Sequence, residues 1–356
     1  MRYALILLLL AARGAHAETI VLRGAAQGTT YHIKFVVPAK AVDAERLQAD
    51  VEQLLGEVDR QMSTYRPDSE ISQFNSAPAG EWFPVSKATA DVAAAARSIS
   101  EKTSGAMDVT VGPLVRLWHF GPPHKNADKS KPKFEPPSDE QLAAARKRVG
   151  YKLLDVRLTP PALRKQFDGL EVDLSSIASG YTIDHLAELL LARGITNLMV
   201  ELGGEVRAAG RREDGTPWRV AIERPTVGKQ ELEATVPLVN ASLATAGGTH
   251  KFFEYGGRRY SHIIDPATGR PVEHALASVT VAADTCLDAD GWDTPLLVLG
   301  LDRGFECAEQ NGIAALFISH SDTGDGADAV RTTTAWRKRF GGDDNSRSTG
   351  KASGTR

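Results

Sequence analysis

The middle of the chain, residues 197–284, is a run of short apolar segments separated by turn residues. It contains NLMVELGGEVRAAG, WRVAIERP, ELEATVPLVNASLATAG, RRYSHIID and ALASVTVAAD. Such segments predict a succession of strands, and GLEVDL at residues 169–174 predicts a further short one. Apolar residues at helical spacing occupy segments 45–62, 91–105, 139–149 and 183–194. We therefore predict an α+β or mixed α/β fold, with helices packed around central strands in a single catalytic unit.

Composition limits the class of partner. The chain has 356 residues, of which 42% are hydrophobic and 24% charged, and its formal net charge is −3. This composition is typical of a globular protein with a sizeable core. Because the sequence has no long run of Lys or Arg, it predicts no nucleic-acid partner.

The N-terminus resembles an export signal. A basic Arg2 is followed by an apolar run from Ala4 to Ala12 and by the small-residue cleavage pattern Ala15-His16-Ala17. The run is shorter than the roughly 20 apolar residues of a membrane span. We predict cleavage after Ala17, no membrane span after removal of residues 1–17, a folded domain over 18–340, and a disordered polar tail over 341–356.

Cys286 and Cys307 are the two cysteines of the chain. In an oxidising compartment they could form a disulfide, but two cysteines do not establish a disulfide framework. The sequence leaves their pairing open.

The stretch YSHIIDPATGRPV, which begins at Tyr260, contains a strong turn signal. Asp265-Pro-Ala-Thr-Gly269 has the residues that favour a hairpin loop. In a preceding strand, alternation would place Tyr260, His262 and Ile264 on one face. Taken alone, His262 is compatible with either a half-buried structural residue or a functional one.

Three further segments combine loops with helix entries. Residues 62–75 pair an aromatic turn with a short helix that Asp68 or Ser69 could cap. Residues 103–113 place Asp108 just before a predicted strand. Residues 173–181 join a strand to a helix, whose N–H groups could hold an anion such as a diphosphate. Each segment could equally be an ordinary connection.

Asp290 and Thr294 are four residues apart in ADGWDTP. On a helix this spacing brings a carboxylate and a hydroxyl to one face, with Cβ atoms about 5–6 Å apart. Oxygen ligands of this kind suit Mg²⁺, although the pattern alone is weak. Pro295 would remove one helix hydrogen bond.

Taken together, these segments resemble the ApbE family, the FAD:protein FMN transferases. The resemblance covers most of residues 20–320 and rests on MSTYRPDSEISQFN, SGAMDVTVGPLVRLW, DLSSIASGYTIDHLAELL, VELGGEVRAAG, LATAGG, YSHIIDPATGRPV and ASVTVAADTCLDADGWDT, in that order. It implies an ApbE-like, T-fold-related fold and an exported, periplasmic enzyme. The implied reaction is Mg²⁺-dependent transfer of FMN from FAD to a Thr or Ser hydroxyl of a target protein, with release of AMP.

The resemblance also implies roles for individual residues. FAD would be bound by Tyr65, Ala106, Met107, Asp108, Asp173, Ser179 and Ile264. Mg²⁺ would be held by the main-chain carbonyl of Ser176, the carboxylate of Asp290 and the hydroxyl of Thr294. Since His262 would share a strand face with Ile264, it is our candidate for the base that accepts the hydroxyl proton.

The chain departs from the common family pattern at four places. Gln27 stands where many members have Met, Ser179 replaces a Lys or Glu, Ala246-Gly247-Gly248 replaces Ser/Thr-Gly-Asp, and ADGWDTP replaces ADALATA. These departures leave two alternatives open, an FAD pyrophosphatase and a non-catalytic flavin-binding or delivery protein.

The acceptor protein is not identified by the sequence. The resemblance implies a target with a Ser/Thr-Gly-Ala-Thr-like motif, for example in Rnf- or Nqr-type redox subunits or nitrous-oxide-reductase accessory proteins. The sequence does not determine the oligomeric state.

Overall fold

The computed structural model describes residues 17–38, 42–121, 134–225, 231–247, 252–320 and 329–341. Within them the helices are α1 Ala44–Met62, α2 Glu70–Ser76, α3 Lys87–Lys102, α4 Gly112–Leu117, α5 Asp139–Arg146, α6 Ala178–Leu191, α7 Cys286–Leu299, α8 Leu301–Gln310 and α9 Thr334–Phe340. One 3₁₀ turn covers Tyr151–Leu153. The predicted helices correspond to α1, α3, α5 and α6, and the sequence signals for their ends were accurate to within a few residues.

The strands of the described residues are β1 Ala17–Ala26, β2 Thr29–Pro38, β3 Phe83–Pro84, β4 Leu154–Leu158, β5 Pro161–Lys165, β6 Asn197–Leu202, β7 Glu205–Ala209, β8 Trp218–Arg224, β9 Glu231–Leu238, β10 Ala241–Gly247, β11 Phe252–Tyr255, β12 Arg258–Ser261, β13 Ile264–Asp265, β14 Arg270–Pro271, β15 Leu276–Ala283, β16 Ala314–Ser319 and β17 Ala329–Thr332. Helices and strands are interleaved along the chain. The prediction of a mixed α/β fold is confirmed.

An eight-stranded sheet in the order β1-β2-β6-β7-β10-β15-β16-β17 is the centre of the fold. Every neighbouring pair in it is antiparallel. One face packs against α1 and α6 over β1, β2 and β6, and against α7 over β10 and β15. The hairpin β8–β9 and α9 cover the opposite face. The sheet is therefore buried on both sides, which explains why its central strands are almost continuously apolar.

Helix α7 is apolar on nearly every side because it is enclosed by β10, β15, α6 and α8. This burial draws two carboxylates, Asp290 and Asp293, into the interior at 4% and 2% exposure. The helix continues to Leu299 although Pro295 lies inside it. The structure thus places the Asp290 and Thr294 pair on one helix, as the sequence predicted.

Three predicted strands differ in the structure. Residues 169–174 and the segment that follows Asp108 form only an isolated bridge between Val111 and Glu171. The main chain there finds other partners, since Asp173 N–H donates to the Val109 carbonyl at 2.7 Å and Val172 N–H donates to the side chain of Asn75. The predicted strand RRYSHIID is broken after Ser261, and β13 begins only at Ile264.

The hairpin loop predicted at residues 265–269 is confirmed. Gly269 N–H donates to the Asp265 carbonyl at 2.8 Å, and β13 pairs with β14 across the loop. Gly269 has φ +73°, which explains the glycine at this position. Ser69, with its side chain accepting from Ser72 N–H, is the residue that caps α2.

Of the predicted signal, residues 1–17, and the predicted tail, residues 341–356, only Ala17 and Gly341 lie within the described residues. Within the described ranges, no helix combines the length and apolar character needed to cross a membrane. Cys286 and Cys307 are both free thiols.

Lys165 is a buried cation that ends helix α2. It is 1% exposed, and its ammonium donates to the main-chain carbonyls of Phe74 at 3.2 Å and Asn75 at 2.8 Å. Carbonyls at a helix C-terminus lack the usual helical donor; the Phe74 carbonyl also accepts the N–H of the cap residue Ala77 at 3.1 Å. Lys165 therefore fixes the end of α2, the helix that follows Tyr65 in the chain.

We expect Lys165→Met to lower the free energy of unfolding by about 1–3 kcal/mol, because buried carbonyls lose their donor. Urea unfolding measures this change. The matched control is Lys152→Met, since Lys152 is exposed and only passes over the Tyr151 ring. An equal loss in both variants would contradict the role assigned to Lys165.

Candidate active site

The start of α6 packs directly against α7. Gly180 N–H donates to Oδ2 of Asp290 at 2.7 Å, although the two residues are 110 positions apart. A Cβ at position 180 would lie 2.3 Å from the Cys286 carbonyl oxygen and 2.8 Å from Cβ of Asp290. Only glycine allows this approach. The contact fixes the loop 173–177, which precedes α6, beside the carboxylate of α7.

We expect Gly180→Ala to lower the free energy of unfolding by about 1–3 kcal/mol or more, because the methyl group meets backbone that has little freedom to move. Gly56→Ala is the control, since a Cβ in the middle of α1 would meet only the Arg60 guanidinium at 3.6 Å. In that control, the free energy of unfolding should rise by about 0.5–1 kcal/mol, because alanine is favoured over glycine inside a helix. Thermal unfolding of both variants checks the pair, and similar melting temperatures would refute the close packing.

Asp290 lies in a group of buried carboxylates. Burial raises its pKa well above the ordinary value, the Glu205 carboxylate raises it further, and the Gly180 N–H opposes both. Burial also raises the pKa of Asp293 well above its ordinary value, with Asp290 and Glu205 adding to the effect. Burial and the neighbouring carboxylates therefore disfavour the ionised forms of Asp290 and Asp293, which a bound cation would stabilise.

Asp184 of α6 is the carboxylate of this group that is fully partnered. It accepts the N–H groups of Cys286 and Leu287 at 2.9 Å each, and it pairs with the Arg207 guanidinium at 2.6 Å. Its carboxylate thus meets the N-terminus of α7, where negative charge is stabilised. Arg207 is consequently engaged by Asp184.

The residues around Asp290 fit a hard cation. No hydrogen-bond donor in the described part of the chain reaches the second oxygen of Asp290. Thr294 lies one turn further along α7 and is half-buried. Ser176 lies near α7, because a Cβ at Gly291 would be 3.0 Å from Ile177, the next residue. A carboxylate, a hydroxyl and a nearby carbonyl are ligands that Mg²⁺ takes together with waters and phosphates.

The ligands predicted from the sequence differ from a metal site that is built only from acidic, histidine or cysteine side chains. Among the residues that the structure describes, no group of three or more His, Cys, Asp or Glu side chains could hold a metal ion. The three ligands predicted from the sequence include a single carboxylate, so any ion here would depend on the Thr294 hydroxyl, main-chain oxygen and substrate.

Tyr65 and Asp173 lie on the solvent side of the same region. The Tyr65 ring is 65% exposed. Partial burial raises the pKa of Tyr65, and the Asp173 carboxylate adds to the increase. Asp173 in turn accepts the N–H of Ser175 at 2.9 Å. An exposed aromatic ring beside this loop is available to stack on a planar ligand.

Met107 joins this loop to the segment after α3. It is 2% exposed, and the Ser176 hydroxyl lies 3.8 Å from its sulfur. Its neighbour Asp108 uses both carboxylate oxygens inside the protein, for Thr110 at 2.8 Å and for Tyr151 N–H at 2.8 Å. Burial nevertheless raises the pKa of Asp108. The Asp108 side chain therefore also stabilises the turn that presents Met107.

His262 and Ile264 lie on another side of the core. Ile264 is 7% exposed and packs with Leu114, Trp118 and Leu142. His262 is half-buried, and its ring meets the edge of Phe120 with centroids 6.2 Å apart. The continuous strand expected here is interrupted at His262. The expected alternation is nevertheless kept, because Tyr260, His262 and Ile264 meet the same apolar cluster, while Ile263 packs into another.

The predicted site residues thus form three groups around one core. Ser176, Asp290 and Thr294 surround the contact of α6 with α7, and Tyr65 with Asp173 lies at the outer end of the same loop. His262 and Ile264 are tied to that core through Ile263, which shares an apolar cluster with Met107 and Ile177. Ser179, half-buried at the start of α6, lies beside the first group, and Ala106 precedes Met107.

The ApbE family model matches residues 27–317 of the chain. The chain belongs to the ApbE family. A curated relative from Vibrio cholerae, an FAD:protein FMN transferase, is 44% identical over 318 residues, which cover 89% of this chain and 92% of the relative. The Escherichia coli K12 relative of the same name is 39% identical over 307 residues, covering 85% of this chain and 84% of the relative.

Solved ApbE structures have the same fold. The flavin transferase ApbE from Vibrio cholerae superposes with a TM-score of 0.82 at 42% identity, over 91% of this chain and all of that one. The apo flavinyl transferase ApbE from Pseudomonas stutzeri superposes with a TM-score of 0.81 at 38% identity, over 92% of this chain and 98% of that one. A Vibrio cholerae variant with one histidine replaced by glycine also gives 0.81. The expected ApbE family membership and fold are confirmed.

Two departures from the ApbE pattern have visible consequences. The Gln27 side chain donates to the Thr182 hydroxyl at 2.8 Å, so it is tied to α6. Ala246 and Gly247 end β10, opposite Val279 and Ser278 of β15. Gly248, the remaining departure in that segment, lies outside the described residues.

Sequence reasoning missed Gly180, Asp184, Glu205 and Arg207. A signal was present, since IDHLAELLL and GEVRAAG each place a charge in an otherwise apolar element. A charge that folding must bury needs a partner. The pairing of Asp184 with Arg207 could have been proposed on that basis.

Proposed function

We propose that this chain is an FAD:protein FMN transferase that requires Mg²⁺ and modifies a Thr or Ser hydroxyl of an exported or membrane-bound redox protein. Membership of the ApbE family makes it a transferase enzyme. The observation that supports the finer assignment is the buried Asp290 carboxylate, fixed by the start of α6 and left with one oxygen without a donor. Such an oxygen is a suitable ligand for a divalent cation next to a diphosphate.

FAD would lie along the loop that precedes α6. Tyr65 would cover its ring system, the segment Ala106–Asp108 would line its pocket, and Asp173, Ser179 and Ile264 would complete the contacts. Helix α6 has 14 residues and no side-chain cap at its N-terminus. The N–H groups of Ala178 and Gly180 donate to Leu174 and Asp290, which leaves the N–H group of Ser179 for a phosphate. A helix end of this kind stabilises phosphate.

In the proposed reaction, the hydroxyl oxygen of the acceptor forms a bond to the FMN-side phosphorus of FAD. The bond between that phosphorus and the bridging oxygen breaks, and AMP leaves with the bridging oxygen. The hydroxyl proton passes to the imidazole of His262. Bound to the Ser176 carbonyl, Asp290 and Thr294, Mg²⁺ would neutralise charge that develops on the diphosphate.

One incubation tests this function. Purified mature protein, FAD, Mg²⁺ and a soluble domain with a Ser/Thr-Gly-Ala-Thr motif are combined, and the products are read by mass. We expect the acceptor to gain the mass of FMN less one water through a phosphoester bond, with one AMP released per modification. Free FMN with an unmodified acceptor would indicate an FAD pyrophosphatase instead. Bound, unchanged FAD would indicate a flavin-binding or delivery protein.

The N-terminal signal supports a periplasmic location for this activity. Cell fractionation with antibody detection, together with the N-terminal sequence of the isolated protein, tests the location. We expect a periplasmic protein that begins at Glu18. Recovery of the full chain in the cytoplasm would contradict the proposal.

A further inference from the structure

The hairpin β11–β12 lies directly before His262 and is anchored through one face. Phe253 and Tyr260 are paired across it and therefore point to the same side. The Phe253 ring stacks on Phe134 with centroids 4.5 Å apart and an angle of 9°. The Tyr260 ring stacks on Trp118, with centroids 5.5 Å apart. This aromatic packing holds the hairpin in a fixed position beside the candidate base.

The outer edge of β12 has no partner strand among the described residues. Gly256 and Gly257 have φ of +59° and +77° and form a two-residue loop, so the flanking Tyr255 and Arg258 are a hydrogen-bonded pair. Hydrogen-bonded and non-bonded pairs alternate along an antiparallel ladder. The main-chain groups of Arg259 and Ser261 therefore point away from β11. No strand in the described part of the chain pairs with that edge.

The side chains at this edge are already engaged elsewhere. The Arg259 guanidinium lies 4.2 Å from the centroid of the Phe252 ring and pairs with Glu254 at 3.2 Å, both on β11. The free groups of β12 are thus main-chain donors and acceptors, spaced two residues apart. Open edges of this kind bind extended segments of other chains.

We propose that the outer edge of β12 is the docking site of the acceptor protein, which binds there as an extended strand and so presents its hydroxyl to His262. This inference rests on the proposed function. Its basis is continuity, since Ser261 offers the last free main-chain groups of the edge and His262 is the next residue. Main-chain pairing places a substrate segment by its backbone, which suits an enzyme that must position one hydroxyl.

The test removes one main-chain donor from this edge. Arg259→Pro deletes the outward N–H group, and proline is tolerated in an edge strand. We expect KM for the acceptor to rise about tenfold or more, because a hydrogen bond is lost and the ring obstructs pairing. The dissociation constant for FAD, measured by flavin fluorescence, and the melting temperature should stay at the parent values.

Glu254→Pro is the matched control. It deletes an outward N–H group from the opposite edge of the same hairpin, and both variants lose the same Glu254–Arg259 ion pair. We expect its acceptor KM to remain within about twofold of the parent. Arg259→Ala, which keeps the N–H group, should behave like this control. Equal effects of both proline variants on KM would overturn the inference.

Hydrogen exchange gives a second measurement that needs no transfer. The amides of Arg259 and Ser261 should exchange fast in the free enzyme and slow down when the acceptor domain is added. Protection already present in the free enzyme would mean that the chain covers its own edge, and it would refute the proposal. Absence of FMN transfer by the parent, by contrast, would refute the proposed function while the exchange result still reports docking.

Discussion

Asp290→Asn is expected to reduce FMN transfer by roughly 10³-fold at any Mg²⁺ concentration, since charge stabilisation by a metal ion supplies several kcal/mol. The amide oxygen of Asn can still accept the Gly180 N–H, so the contact of α6 with α7 is kept. Because the change also removes a buried charge, the melting temperature should be no lower than that of the parent. Initial rates over a Mg²⁺ titration measure the effect.

Asp288→Asn is the control for this experiment. Asp288 is exposed on the same helix, where it accepts from the Thr285 hydroxyl at 2.6 Å. Its replacement should leave the rate within about twofold. If Asp290→Asn kept the parent rate and the parent Mg²⁺ dependence, the ion would have to bind elsewhere, and the assigned ligands would be wrong.

His262→Ala should slow transfer by about 10²–10⁴-fold, the usual contribution of a positioned general base. In the parent, the rate should rise with pH, because a general base accepts a proton only in its unprotonated form. The variant should lack that rise, while flavin fluorescence shows FAD binding unchanged. Rate profiles over pH under single-turnover conditions separate this effect from product release.

His274→Ala provides the comparison, because His274 is an exposed histidine only twelve residues further along the chain. It should keep both the rate and the pH profile of the parent. A full parent rate in His262→Ala across pH would remove the proposed base and leave proton transfer to solvent or to the substrate.

Local features of the fold could be predicted from the sequence because their causes are local. Helical spacing indicated α1, and Ser69 was one of two expected caps for α2. Asp265 to Gly269 formed the expected hairpin loop, since the turn chemistry resides in those five residues. The spacing of Asp290 and Thr294 likewise indicated one helix face.

The remaining features depend on distant partners. The segment 169–174 has strand-like composition, yet the Asn75 side chain, 97 residues away, takes both main-chain groups of Val172 that a strand partner would have used. Alternation correctly separated Ile263 from Ile264, which pack into different apolar clusters, but the interruption of the strand at His262 was not predicted. Periodicity describes a single element and carries no information on which cluster will receive each side chain.

Asp184 is the point at which three parts of the chain meet. Its carboxylate accepts the N–H of Cys286, which is 102 residues further along the chain at the N-terminus of α7. It also pairs with the guanidinium of Arg207 on β7. Contacts between such distant positions are closed late, after the entropy of the intervening loop has been overcome. During synthesis, a chain that ends before residue 286 has the loop and the arginine but not the helix that carries the acid. At the proposed site, competence to bind a metal ion would therefore be acquired only after α7 has been synthesised and has docked on α6.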